Sequence, residues 1–228
     1  MKVLVACEES QEVCKAFRAK GHEAYSCDIQ ECSGGHPEWH IYSDVLPLLN
    51  GNCEFKTMNG QIHKIAGKWD LLIAHPPCTY MSGAGACRMY PTKGNIDPDR
   101  FLKAMDAKKF FMAFYNADCG HIAIENPRPL RCVELPKESQ RIQPWQFGHP
   151  YTKLTYLWLK GLPPLFSTEI CEQRHPYICG NSEIWKKQAK NGVVWGKEKS
   201  AKYRSKTFPG IAKAMAEQWG VNEWIKKN

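Results

Sequence analysis

The chain has 228 residues, 43% of them hydrophobic, and a net charge of +8, which fits one large domain or a domain with a small insert and excludes a disordered polypeptide. No apolar run approaches the roughly 20 residues of a membrane span, MKVLVACEES does not read as a signal peptide, and eleven cysteines, an odd number, fit reduced cytoplasmic thiols better than a disulfide framework. Residues 1–150 hold 17 basic and 17 acidic residues, so the whole charge excess lies in the last 78, as for a polyanionic partner or a solvated basic face.

Residues 2–6 (KVLVA) are a continuous apolar run and predict a buried parallel strand. Val13, Cys14, Ala16 and Phe17 recur at helical spacing over 11–20, and Gly21 is a natural stop. A second strand is expected over 22–29, ending at Asp28, and Asp44 precedes a proline-broken apolar segment. Residues 69–74 (WDLLIA) predict a strand that runs straight into His75-Pro76-Pro77-Cys78. Asp97-Pro98 is a helix start, cap residue then proline, for a helix reaching about Asn116, with Phe110, Phe111, Phe114 and Tyr115 as core. Further strands are expected at 121–124, before Glu125-Asn126-Pro127, and at 154–159, with a final helix at 209–219.

Strands alternating with helices predict an α/β fold, a doubly wound and mostly parallel sheet. Ligands in such folds bind beyond the carboxyl ends of the strands. Glu8, Glu9 and Ser10, Asp28, Cys78 and Glu125 all fall at those ends, which predicts one shared crevice. Cys78 follows two prolines, each fixing its own φ, so it sits on a stiff turn suited to a nucleophile.

These segments together resemble the cytosine-C5 DNA methyltransferase family, in its small phage or prophage form. Residues 69–78 resemble its nucleophile motif, Ile124-Glu125-Asn126-Pro127 its Glu-Asn-Val, and Phe147–Leu157 the strand that carries a Gln-x-Arg-x-Arg element. Val3–Ala6 and the following loop stand at its first cofactor motif, Asp28 and Asp44 at its ribose and adenine acids, and Arg204–Pro209 at its closing motif. The resemblance spans the chain except about 160–200.

It implies a Rossmann-like S-adenosylmethionine-dependent methyltransferase fold with a small basic insert. Residues 1–160 would form the catalytic and cofactor-binding core, 161–203 a reduced target-recognition insert, and 204–228 the closing motif and helix. It implies catalysis by Cys78 and Glu125 with Lys153 and Thr155. S-adenosylmethionine would be held by Cys7, Glu8, Ser10, Asp28, Asp44, Pro76, Ser205 and Thr207. DNA, with the target base flipped from the duplex, would be held by Asn126, Lys186, Lys187, Lys190, Lys199, Lys202 and Arg204. A cytoplasmic monomer is expected, with a partner subunit for target recognition as an alternative.

Three departures stand out. The loop Cys7–Gln11 lacks the family's glycines, so either Ser10 and its neighbours replace them or cofactor affinity is weak. Lys153-Leu154-Thr155 replaces Arg-x-Arg, which leaves room for another pyrimidine substrate such as RNA, a free nucleotide or a modified base. The interval before the closing motif is too short for a full recognition domain, and a non-catalytic nucleic-acid binder with this fold is a third reading. Cys171-x3-His175-x3-Cys179 offers only three ligands at unusual spacing, so no metal is expected.

Overall fold

A computed structural model of the chain describes residues 1–174 and 205–221. The strands are β1 (Lys2–Ala6), β2 (Glu23–Asp28), β3 (His40–Tyr42), β4 (Cys53–Lys56), β5 (Ile62–Ile65), β6 (Leu71–Ala74), β7 (Ile122–Pro127), β8 (Gln140–Ile142) and β9 (Thr155–Lys160). The helices are α1 (Glu12–Ala19), α2 (Ala86–Met89), α3 (Pro98–Tyr115) and α4 (Pro209–Trp219). Seven strands form one sheet in the order β3-β2-β1-β6-β7-β9-β8. The first five run parallel, and β9 and β8 close the edge in antiparallel fashion. This is the expected doubly wound α/β sheet. From β1 the chain builds outward through β2 and β3, then returns to add β6 and β7 on the other side. The order therefore reverses between β1 and β6, where open α/β sheets place their ligands.

Period-two alternation divides the core into two layers. Leu4, Ala6, Leu72 and Ala74 face one layer with Phe111 and Phe114 of α3. Val3, Val5, Leu71 and Ile73 face the other, with Val13 and Phe17 of α1 and Ile211, Met215 and Trp219 of α4. The α3 start matches its sequence: the Arg100 amide donates to Asp97 Oδ1 at 2.7 Å, and Pro98 occupies the first turn. Of the four aromatics read as α3 core, Phe111 and Phe114 are fully buried, Tyr115 is exposed, and Phe110 is only half-buried.

Four strands depart from the sequence reading. β3 and β8 have three residues each, too few for a periodicity signal. The hairpin β4–β5 carried a legible cue in Asn59-Gly60, where Gly60 adopts φ +92°. Beyond β9, Leu165 is buried against the α4 layer and exchanges two hydrogen bonds of 2.7 Å with the Gln140 side chain. No helix among the described residues is long and apolar enough to cross a membrane.

Candidate active site

The loop after β1 turns sharply without glycine. Cys7 has φ +58° and Gln11 φ +59°, a left-handed conformation that non-glycine residues adopt at a cost of roughly 1–3 kcal/mol each. Buried polar groups hold it there. Glu8 Oε1 accepts from the Val13 amide at 2.6 Å and Oε2 from the Cys14 amide at 3.1 Å, which caps α1 with a carboxyl group. Gln11 is fully buried; its amide nitrogen donates to the His36 carbonyl at 2.9 Å and to Ser26 Oγ at 3.2 Å, and its oxygen accepts from the His36 amide at 3.0 Å. Room for this turn comes from Gly34 across it. A methyl group there would lie 2.5 Å from the Ser10 carbonyl oxygen and from Gln11 Cβ.

Beyond the carboxyl ends of β1, β2, β3 and β6 lies a cleft of about 550 Å³. Cys7, Glu8, Glu9 and Ser10 line it from β1, Asp28 and Ile29 from β2, and Asp44 and Val45 from the turn after β3. His75, Pro77, Cys78 and Thr79 line it from β6, and Ser205, Lys206 and Thr207 from the strap before α4. Lys206 Nζ donates to Ser33 Oγ at 3.2 Å, tying the strap to the opposite rim. Phe110 of α3 also lines the cleft, a role its helical spacing concealed behind a core reading.

Asp28 and Asp44 lie close enough to act on the same thiols. Burial, then the charge of Asp28, pushes Cys7 well above the usual thiol range, and burial together with both carboxylates pushes Cys27 up to about 12. Burial also raises Asp28, whose Oδ1 accepts from the Gln30 amide at 2.9 Å. Glu9 Oε2 is buried with no hydrogen-bond partner among the described residues. Burial pushes Glu8 up to about 7, against the pull of His75 and the two backbone amides.

The other side of the cleft is the Pro-Pro turn. The Cys78 carbonyl accepts from the Met81 amide at 3.1 Å and the Ser82 amide at 2.9 Å, and Arg100 Nη2 donates to the Thr79 carbonyl at 2.7 Å, so the turn is braced on both flanks. Burial raises the Cys78 thiol, Glu125 raises it further, and Lys153 opposes them. Glu125, at the end of β7, is 12% exposed in its side chain, and its Oε2 lies 3.1 Å from His75 Nδ1. Burial alone would raise this carboxyl, but the His75 hydrogen bond, then the charges of Lys153 and His75, hold it below its usual value.

Several expected ligand-binding residues serve the frame instead. Pro76 and Asn126 do not line the cleft: Pro76 is buried, and Asn126, 1% exposed, donates from Nδ2 to the Pro76 carbonyl at 2.8 Å. They fix the Cys78 turn to β7. Thr155 is 3% exposed and its hydroxyl donates back to the Lys153 carbonyl at 3.2 Å, so it shapes the start of β9. Lys153 stays near the site, acting on both Cys78 and Glu125, with Nζ 5.9 Å from the Phe208 ring centre. His40, next to Cys32 and His36 in sequence, is a core histidine bonded to Ser26 Oγ at 2.8 Å and the Gln30 carbonyl at 2.9 Å. Lys186, Lys187, Lys190, Lys199, Lys202 and Arg204 lie outside the described residues, as do His175 and Cys179 of the Cys171 trio.

No family model and no curated protein matches the chain. Among solved structures it is similar to an E. coli prophage-encoded protein provisionally described as a DNA modification methyltransferase. The two share 14% identity at a TM-score of 0.39, over 74% of this chain and 51% of that one. The chain thus spans about half the length of that protein.

Proposed function

We propose that the chain is an S-adenosylmethionine-dependent methyltransferase acting on C5 of cytosine in DNA. The observation that carries this reading is the convergence, on neighbouring strand ends beside one cleft, of a thiol on a braced Pro-Pro turn and a buried, ionised carboxylate. The rest of the cleft fits the cofactor's chemistry. Asp28 and Asp44 offer acceptors for a ribose diol and an exocyclic amine, and the orphaned Glu9 Oε2 is a buried acceptor that a ligand hydroxyl or amine would satisfy. Phe110, Ile29 and Val45 supply apolar surface for a purine ring. When bound there, S-adenosylmethionine supplies an electrophilic methyl group.

The chain's own residues supply the activation. Cytosine C5 is too weak a nucleophile to take that group unaided. Addition of Cys78 Sγ to C6 makes C5 enamine-like, a covalent strategy that divides one hard step into two. Glu125, fixed by His75, accepts from the exocyclic amine and orients the ring toward Cys78. Lys153 favours the thiolate of Cys78, and Asn126, through Pro76, holds the turn in register. The Ser205–Thr207 strap, tied down by Lys206, limits water in the cleft. A cytosine must leave its duplex to reach Cys78, and the basic last third of the chain provides charge for phosphate contacts that position DNA without reading it.

Incubation of the full chain with radiolabelled S-adenosylmethionine and mixed-sequence DNA should give labelled 5-methylcytosine, and Cys78→Ser should give none. Lys153 in place of a planar Arg-x-Arg fork, and a Thr155 hydroxyl already engaged, favour as a second reading a pyrimidine outside duplex DNA. Label in RNA or dCMP, with none in DNA, selects that reading.

A further inference from the structure

We propose that His75 is the positioning residue of the site, forming with Glu125 a buried imidazole–carboxylate pair that delivers a proton to the pyrimidine ring as Cys78 adds to it. This rests on the pyrimidine methyltransferase reading above and deepens it.

The geometry is specific. His75 is the first residue after β6, the strand between β1 and β7. Its amide donates to the Ala6 carbonyl at 2.9 Å, which carries the sheet's register into the loop. Its side chain is 9% exposed, Nδ1 lies 3.1 Å from Glu125 Oε2, and Nε2 is buried without a partner among the described residues. Oε2 is therefore occupied, and Oε1 is the oxygen left for a substrate.

Three further charged or titratable groups surround this pair. Glu8 approaches from the loop after β1, Cys78 from the same turn as His75, and Lys153 from the approach to β9. The two carboxyls flanking the imidazole are driven apart: Glu8 is raised by burial, while Glu125 is lowered because His75 and Lys153 outweigh burial. Two carboxyls separated in this way mark one as anion and the other as proton holder. A buried carboxylate with no cation beside it would take up a proton of its own.

The addition step then balances. The Cys78 S–H bond breaks and an S–C6 bond forms. The C5=C6 π pair moves to C4=C5, and the C4=N3 π pair becomes a lone pair on N3. N3 gains one proton from the His75–Glu125 pair, and the proton lost by the thiol replaces it. No oxidant, reductant or further acid is needed, and the net charge of protein plus base is the same before and after.

The test uses the full chain and two variants. His75→Asn keeps a donor near Nδ1 but cannot carry an exchangeable charge; His75→Ala removes both. Carboxyl 13C NMR follows Glu125, assigned by Glu125→Gln. In wild type its titration should lie below pH 4.5, and in both variants it should move upward by at least one pH unit. In methyl transfer, His75→Asn should lower kcat at least tenfold, with KM for DNA within about twofold, and should change the shape of the pH profile. A Glu125 titration unmoved in both variants overturns the pair whatever the activity. An unchanged pH profile in an active His75→Asn overturns the proton delivery. Absence of transfer by wild type overturns the methyltransferase reading, whereas a moved titration in that case still upholds the pair.

Discussion

Gly34 and Gly35 separate two ways in which glycine can matter. At Gly34 an added Cβ would stand 2.5 Å from the Ser10 carbonyl oxygen and 2.5 Å from Gln11 Cβ. Ordinary contact there is about 3.4 Å, so one side must retreat by roughly 0.9 Å. The retreat is opposed by the Ser33 amide, which donates to the Glu9 carbonyl at 2.8 Å, and by the Gln11 bonds to His36. Overpacking of this kind costs about 1–3 kcal/mol. At Gly35 the space is open, but φ is +87°, so alanine pays only a conformational penalty of about 1 kcal/mol. Gly34→Ala displaces Ser10, which lines the cleft; Gly35→Ala leaves it alone. Calorimetry should therefore show Gly34→Ala weakening S-adenosylhomocysteine binding at least tenfold and lowering Tm by about 4–8 °C. Gly35→Ala should lower Tm by less than half as much and keep its affinity. Equal affinities for the two variants would refute the argument that the absence of a side chain at Gly34 keeps Ser10 in place.

Three other outcomes follow from the same geometry. Glu8 binds its proton more tightly folded than unfolded, so its stabilisation is complete below pH 4.5 and is lost as pH rises through about 7. Urea unfolding should show about 3 kcal/mol of stability lost across that window, and Glu8→Gln should remove that part of the slope. Phe110→Ala should weaken S-adenosylhomocysteine binding about tenfold by calorimetry, about 1.4 kcal/mol, with Tm changed far less than for Phe111→Ala. Asn126→Ala leaves the buried Pro76 carbonyl unpaired at a cost of about 1–3 kcal/mol, and loosening of the Cys78 turn should lower kcat 10- to 100-fold with KM for the cofactor unchanged; an unaltered kcat would remove Asn126 from the frame.

Much of the sheet was legible because its strands are buried on both faces. KVLVA and LLIA have no polar alternation to confuse, and the polar residues after them marked the strand ends. Asp97-Pro98 gave the α3 start for the same local reason. What the sequence hid depends on distant partners. Phe110 looks like Phe111 in any helical projection, and only the packing of α3 on the sheet turns one to the cleft. Thr155 and Asn126 carry polar atoms that invite a ligand, yet each is satisfied by backbone, Lys153 in one case and Pro76 in the other. The Cys7–Gln11 loop lacked glycine by inspection, and its left-handed turns are sustained by Gly34, His36 and Ser26, more than 14 residues away. His75 reads as one more residue before Pro-Pro until β6 and β7 bring it beside Glu125.

The most direct measurement is covalent trapping at Cys78. The wild-type chain, S-adenosylmethionine and a duplex carrying 5-fluorocytosine should give a denaturation-resistant protein–DNA adduct, because fluorine at C5 blocks the loss of the proton that frees the thiol. Digestion and mass spectrometry should place the link on Cys78, and Cys78→Ser should form none. No adduct with wild type on any fluoropyrimidine substrate, or an adduct that persists in Cys78→Ser, would contradict the account.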